Sequence, residues 1–374
     1  MPSDPFTTPS SAYISSLWRD RDFRRLWAGQ TASQLGEQSG QVILPLIAVL
    51  ALDAGPGQLG VLRAVEQAPI LLLSLLAGAW VDRRRSRTVM VSADLARAVA
   101  LAALPVAYLF GVLGVPALLV VAFVVGALGV FFDVAYQASL VRLVRRDQLM
   151  LGNSALEGSR SAARIGGPAL GGALVTLLSA PVAAVAGAFF FLLSFLSIRR
   201  IRRHEPMPDR EGREGRQAER PPRIWRQIRE GLQLVVGDGS LWAVGIASAL
   251  FQFSFAAVMT VYLLFLPRGL HLSGAEVGLA LAATGPGAVV GSLLAARLPG
   301  RFGHGMVLVS SAVVATINFV GMGLTPLGSL LGGLLAGEWG LRTGLLMTAV
   351  ALALSPLYMA FSPLAHLGKE LPRG

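Results

Sequence analysis

Glu37 stands about a dozen residues from either end of a stretch, 26–50, that is long enough to cross a bilayer. An ionised carboxylate in hydrocarbon costs at least a few kcal/mol, so its presence there carries a functional expectation. The chemistry it offers is the loading and release of a proton. The plainer alternative is a Glu held by hydrogen bonds to Gln34, Gln38 or Gln41. Glu66, in the second apolar stretch, is a weaker candidate for lining a cavity. Asp94 and Arg97 are i, i+3 neighbours and read as a structural pair. Asp133 lies several residues from the end of the fourth stretch, within reach of pairing with Arg83. Glu157, Arg160 and Arg164 share one helical stripe, which either lines a cavity or closes an internal salt bridge. With no cysteine, the chain has no disulfide, thiolate metal site or Cys nucleophile. It also lacks a Walker A loop, so ATP hydrolysis is not expected. No catalytic residue, metal or cofactor is expected, and the chain does not read as an enzyme.

The elements that must position these groups are membrane helices. Of 374 residues, 54% are hydrophobic and only 14% charged, and the mean hydropathy is +0.62. A soluble domain carries roughly a quarter charged residues. Runs such as Val89–Phe110 and Val182–Ile198 are continuous and rich in Leu, Ala, Val and Gly. A transmembrane barrel would instead show short alternating segments. The fold class is therefore an all-α polytopic membrane protein.

Spans are predicted at 26–50, 58–81, 88–110, 115–138, 153–177 and 180–199, then at 241–266, 275–298, 306–337 and 340–362. The net charge of +11 comes in bursts: Arg19–Arg25, Arg83–Arg87, Arg142–Arg146, Arg199–Arg203, and Arg297 with Arg301. Apart from Arg268 and Arg342, the alternate loops have no Arg or Lys. That alternation is the positive-inside pattern and predicts both termini in the cytoplasm of a cell that holds the protein in its plasma or inner membrane. It also removes the reason to invoke nucleic acid.

A repeat organises the spans. Ser74-Leu75-Leu76-Ala77, with Arg83, Val89, Val91 and Ser92, returns 218 positions later as Ser292-Leu293-Leu294-Ala295 with Arg301, Val307, Val309 and Ser310. Gly167, Leu170, Gly171 and Gly172 return as Gly328, Leu331, Gly332 and Gly333, at an offset of only 161. The loss of 57 positions is about the length of two membrane helices with their loops. The second half has therefore lost a helical pair, and 306–337 reads as the front of one helix fused to the back of another. Ten spans result, six plus four.

Two motifs carry a family resemblance. Gly78, Asp82, Arg83 and Arg87 resemble the G-x-x-x-D-R-x-G-R-R loop of the major facilitator superfamily, with Arg85 in the place of its glycine and Ser86 in that of a basic residue. As such a loop, it would latch one conformation, with Gly78 allowing close helix approach and Asp82 facing a helix N-terminus. The bland reading is that these arginines only set topology. Gly167, Pro168, Gly171 and Gly172 resemble the end of the antiporter signature, G-P-x-x-G-G, where Pro168 bends the helix and the glycines pack it. The Arg that proton-coupled drug exporters carry in the fourth span is missing between Pro116 and Val141. Phe23-Arg24-Arg25-Leu26-Trp27, Gln34-Leu35-Gly36-Glu37 and Val130-Phe131-Phe132-Asp133 resemble the siderophore and macrolide exporter branch.

The resemblance implies a two-bundle fold, shortened from twelve spans to about ten. It divides the chain into a disordered tail (1–18), a six-helix bundle (19–201), a cytoplasmic linker (202–236), a four-helix bundle (237–364) and a tail (365–374). It implies proton-driven export of small amphipathic compounds, with substrate, protons and the lipid bilayer as partners. The second half offers few polar groups, chiefly Gln252, Thr260, Asn318 and Glu338, so charge chemistry belongs to the first half. Phe251, Phe253 and Phe255 offer an apolar wall for substrate or for lipid. Two competing expectations remain: a degenerate protein that folds without transporting, and a solute uptake symporter.

Overall fold

The computed structural model describes residues 17–81, 83–145, 148–202, 239–283 and 325–360. Every regular element among them is helical. The tail at 1–16, Asp82, most of the linker, residues 284–324 with the proposed helix fusion and Asn318, and residues 361–374 lie outside the described residues.

The first half forms α1 (Arg21–Leu46), α2 (Pro56–Val81), α3 (Ser86–Leu109), α4 (Val115–Leu143), α5 (Leu149–Leu178) and α6 (Ala180–Arg199). The second half shows α7 (Gly239–Gly269), α8 (Gly274–Ala282), α9 (Thr325–Trp339) and α10 (Leu341–Ala360). Asp20 caps α1, its carboxylate accepting from the backbone N–H of Asp22 at 2.8 Å and of Phe23 at 3.3 Å. Beyond Pro45 the helix continues as a π-helical turn, Ile47–Ala51. Among the described residues, five helices are long and apolar enough to cross a membrane: α3, α4, α5, α6 and the Ser248–Gly269 part of α7. In α1 the Gln, Ser and Glu side chains dilute the apolar character, and Gln30, Ser33, Gln34 and Ser39 are buried. That helix must turn its polar side to protein, because lipid offers no hydrogen bonds.

Two compact units result. One holds α1, the later part of α2 from Leu72, α3 to α6, and α8; the other holds the start of α2, α7, α9 and α10. In the first, α6 packs on α1 and α3, α5 packs on α1 and α8, and α4 packs on α3. An apolar core around Phe23, Leu26, Met90, Phe132, Leu156 and Ile198 closes the arginine-rich end of this unit. In the second, α7 packs on α9 and α10. Outward residues such as Val120, Val185 and Leu346 are exposed and apolar, as lipid contact requires.

The repeat seen in the sequence is repeated in the backbone. Asp53 (φ 48°) and His271 (φ 54°), 218 apart, both end a helix in the left-handed conformation. In each case the chain folds back the same way, Ala54 N–H to the Ala48 carbonyl and Leu272 N–H to the Leu266 carbonyl. Ser179 (φ 72°) and Gly340 (φ 84°), 161 apart, join α5 to α6 and α9 to α10. The packing follows the same rule. Gly172 of α5 meets Gly274 and Gly278 of α8, while Gly333 of α9 meets Pro56 and Gly60 of α2. Only glycine lets these backbones approach so closely. Within α5, Gly167 and Gly171 face Gln38 and Ser39 of α1. The G-P-x-x-G-G run thus serves two crossings from two sides of one helix.

Candidate functional site

An arginine in the middle of an apolar helix must be paired, and Arg97 on α3 is 1% exposed. Asp94, one turn earlier on α3 and fully buried, holds it at 3.4 Å. Ser33 of α1 joins both groups, donating to Asp94 Oδ1 at 3.1 Å and accepting from Arg97 Nη1 at 3.3 Å. Glu37, one turn farther along α1, places Oε2 3.9 Å from Arg97 Nη2. The guanidinium lies 5.4 Å from the ring centre of Phe132 on α4 and 5.0 Å from that of Phe191 on α6. Aromatic faces attract a desolvated cation by their quadrupoles. A side chain at Gly129 of α4 would collide with the guanidinium, so the cation occupies the space a Cβ would take.

Four helices therefore converge on one cation. Asp94 is sealed, whereas the Glu37 side chain is 31% exposed. Asp94 and Glu37 thus face the Arg97 guanidinium from two helices. Nearby, Asp133 on α4 accepts from Arg160 Nη2 on α5 at 3.1 Å, a pair neutral in itself.

The remaining candidate residues are spread through the chain. Asp133 does not pair with Arg83, which is exposed; Arg160 holds it instead, because α5 lies alongside α4 at that depth. The same bond replaces an internal pair within the Glu157–Arg160–Arg164 stripe, whose Glu157 and Arg164 are exposed. Glu66 belongs to the other unit, where Arg63 holds it at 2.8 Å. A Cβ at Gly78 meets no atom within 4 Å among the described residues. Asp82 lies outside the described residues. Arg87 donates to the backbone carbonyl of Arg199, tying the start of α3 to the end of α6. Phe251 and Phe255, one turn apart, stack with centres 6.0 Å apart and are both exposed. Thr260 turns its hydroxyl back to the Ala256 carbonyl at 2.9 Å and is absorbed locally.

Sequence reasoning paired Asp94 with Arg97 but did not connect them to Glu37. It also missed Ser33, Gly129, Phe132 and Phe191 as the walls of this site. The available signal was an arginine mid-span, which one i, i+3 acid cannot fully surround.

Comparison with known proteins agrees with this architecture. A bacterial homologue of the human lysosomal transporter Spinster, inward-facing and unoccupied, is 13% identical with a TM-score of 0.60, covering 93% of this chain and 81% of its own. A bacterial homologue of the iron transporter ferroportin, inward-facing, is 17% identical with a TM-score of 0.55, covering 94% and 92%. A point mutant of the nucleoside transporter NupG is 14% identical with a TM-score of 0.62, covering 91% and 99%. At such identities the likeness concerns the fold alone. No curated protein sequence matches the chain. The family profile of the Major Facilitator Superfamily does match, over residues 26–328. This chain therefore belongs to the Major Facilitator Superfamily and is a multi-pass membrane protein, a secondary transporter of a small-molecule substrate.

Proposed function

We propose that the chain is a proton-coupled exporter of small amphipathic compounds, working by alternating access, with Glu37 as the coupling carboxylate. The observation that carries this reading is the cluster of Glu37, Asp94 and Arg97, with two acids around one base. A proton on Glu37 removes its attraction for Arg97, and loss of that proton restores it. Access to Glu37 from alternate sides would then couple a proton to each cycle. In this account Asp94, Ser33 and the two phenyl rings fix the cation, and Glu37 is the member that changes state. The motif of Gly167, Pro168, Gly171 and Gly172 packs α5 against two helices and favours a rigid first bundle. The alternation of arginine-rich loops supports a plasma or inner membrane location with both termini inside.

Dye efflux from vesicles holding the purified chain tests this reading. A proton gradient should drive efflux from correctly inserted protein, and efflux no faster than from empty vesicles would refute it. A second reading rests on the break in the repeat: a half-bundle lacking a helical pair can fold without transporting. Gradient-driven uptake of the same dye would instead indicate a symporter.

A further inference from the structure

The geometry points to a binding site for the phosphate of an anionic phospholipid head group at the arginine-rich end of the first unit. A pocket of about 590 Å³ there is lined by Arg25, Arg87, Arg199, Arg200, Ile201 and Arg202. Pockets of this size suit small ligands and head groups. Its walls come from the first turns of α1 and α3 and from the end of α6 with the residues that follow.

The pocket is built rather than merely basic. Asp22 bonds Arg25 at 2.9 Å and accepts the backbone N–H of Arg202 at 3.2 Å. Ser197 donates to the Arg25 carbonyl at 2.8 Å, and Arg87 donates to the Arg199 carbonyl. The Arg199 guanidinium lies 5.7 Å from the ring centre of Phe195. These bonds pin the chain that presents the arginines. All five charged residues lining the pocket are arginines, so its field is positive and draws an anion in. Guanidinium groups match phosphate oxygens in paired, forked hydrogen bonds.

The surroundings select lipid as the source of that phosphate. Leu196 precedes Arg199 and Arg200 by three and four residues, so it shares their helical face. Leu192 and Leu193 continue that face one turn deeper, and all three leucines are 39–41% exposed. An acyl chain lying along these leucines puts its head group at the arginines. Basic pockets at the ends of membrane helices hold anionic head groups in this way. A topological role alone needs arginines in the loop but neither a pinned cavity nor an apolar track leading to it.

Native mass spectrometry of the full chain tests the site, with phosphatidylglycerol and phosphatidylcholine offered in detergent. The expected result is preferential retention of phosphatidylglycerol. The double variant Arg200→Gln/Arg202→Gln should weaken that preference about 30-fold. Arg21→Gln/Arg24→Gln removes the same charge from residues that do not line the pocket and should leave it unchanged. Equal retention of the two lipids by the wild type overturns the proposal without any variant. Equal weakening by both doubles also overturns it, by showing diffuse attraction. Displacement of the lipid by millimolar inorganic phosphate would assign the site to soluble phosphate instead. Thermal unfolding of each double in phosphatidylcholine checks that it is folded.

Discussion

Arg97 Nη2 lies 3.9 Å from Glu37 Oε2, and this contact joins α1 to an ion pair otherwise complete within α3. Without Glu37, Asp94 and Arg97 would be a neutral structural pair. With it, a second carboxylate faces the same guanidinium, on a side chain that is 31% exposed. The proposed coupling follows from that difference.

Replacing Arg97 by Ala should destabilise the protein by about 3–5 kcal/mol, because it strands buried Asp94 without its cation. The double variant Asp94→Asn/Arg97→Ala should recover part of that loss. Thermal unfolding in detergent, followed by circular dichroism, measures both. A single variant as stable as the wild type would show that the buried pair is not held as described.

Two glycines should respond differently to the same substitution. Gly129→Ala places a methyl group where the Arg97 guanidinium lies and should cost about 1–3 kcal/mol through overpacking. Gly78→Ala meets no atom within 4 Å among the described residues and should be neutral or stabilising by up to about 1 kcal/mol. The same melting measurement compares them. A destabilising Gly78→Ala would restore the close helix contact that the sequence motif led us to expect.

Asp133 should couple energetically to Arg160 and not to Arg83. Both members of the pair are partly exposed, so a double-mutant cycle with Asp133→Asn and Arg160→Gln should give at most about 1 kcal/mol. The cycle with Arg83→Gln should give zero within error. The reverse ranking would return Asp133 to the loop latch.

The fold was legible because hydropathy and glycine spacing act along the chain. The bounds of α6 were predicted to the residue, and those of α3 within two. Offsets of 218 and 161 in the sequence led to the paired left-handed residues Asp53/His271 and Ser179/Gly340. The site was only half legible. Asp94 and Arg97 are neighbours on one helix, and local spacing reveals them. Their meeting with Glu37 depends on how α1 and α3 rotate about their axes, which packing against α6 decides. For the same reason the partner of Asp133 was misread: α5 brings Arg160 to it across an interface that no short motif encodes.

The central claim is that Glu37 carries the coupled proton, and it is tested most directly by Glu37→Gln in vesicles with an imposed pH gradient. Glutamine keeps the size of the side chain and one accepting oxygen but cannot change charge. With insertion verified, the wild type should show dye efflux that rises with the gradient, and Glu37→Gln should lose that dependence. Efflux by the variant with unchanged dependence on the gradient would contradict the account.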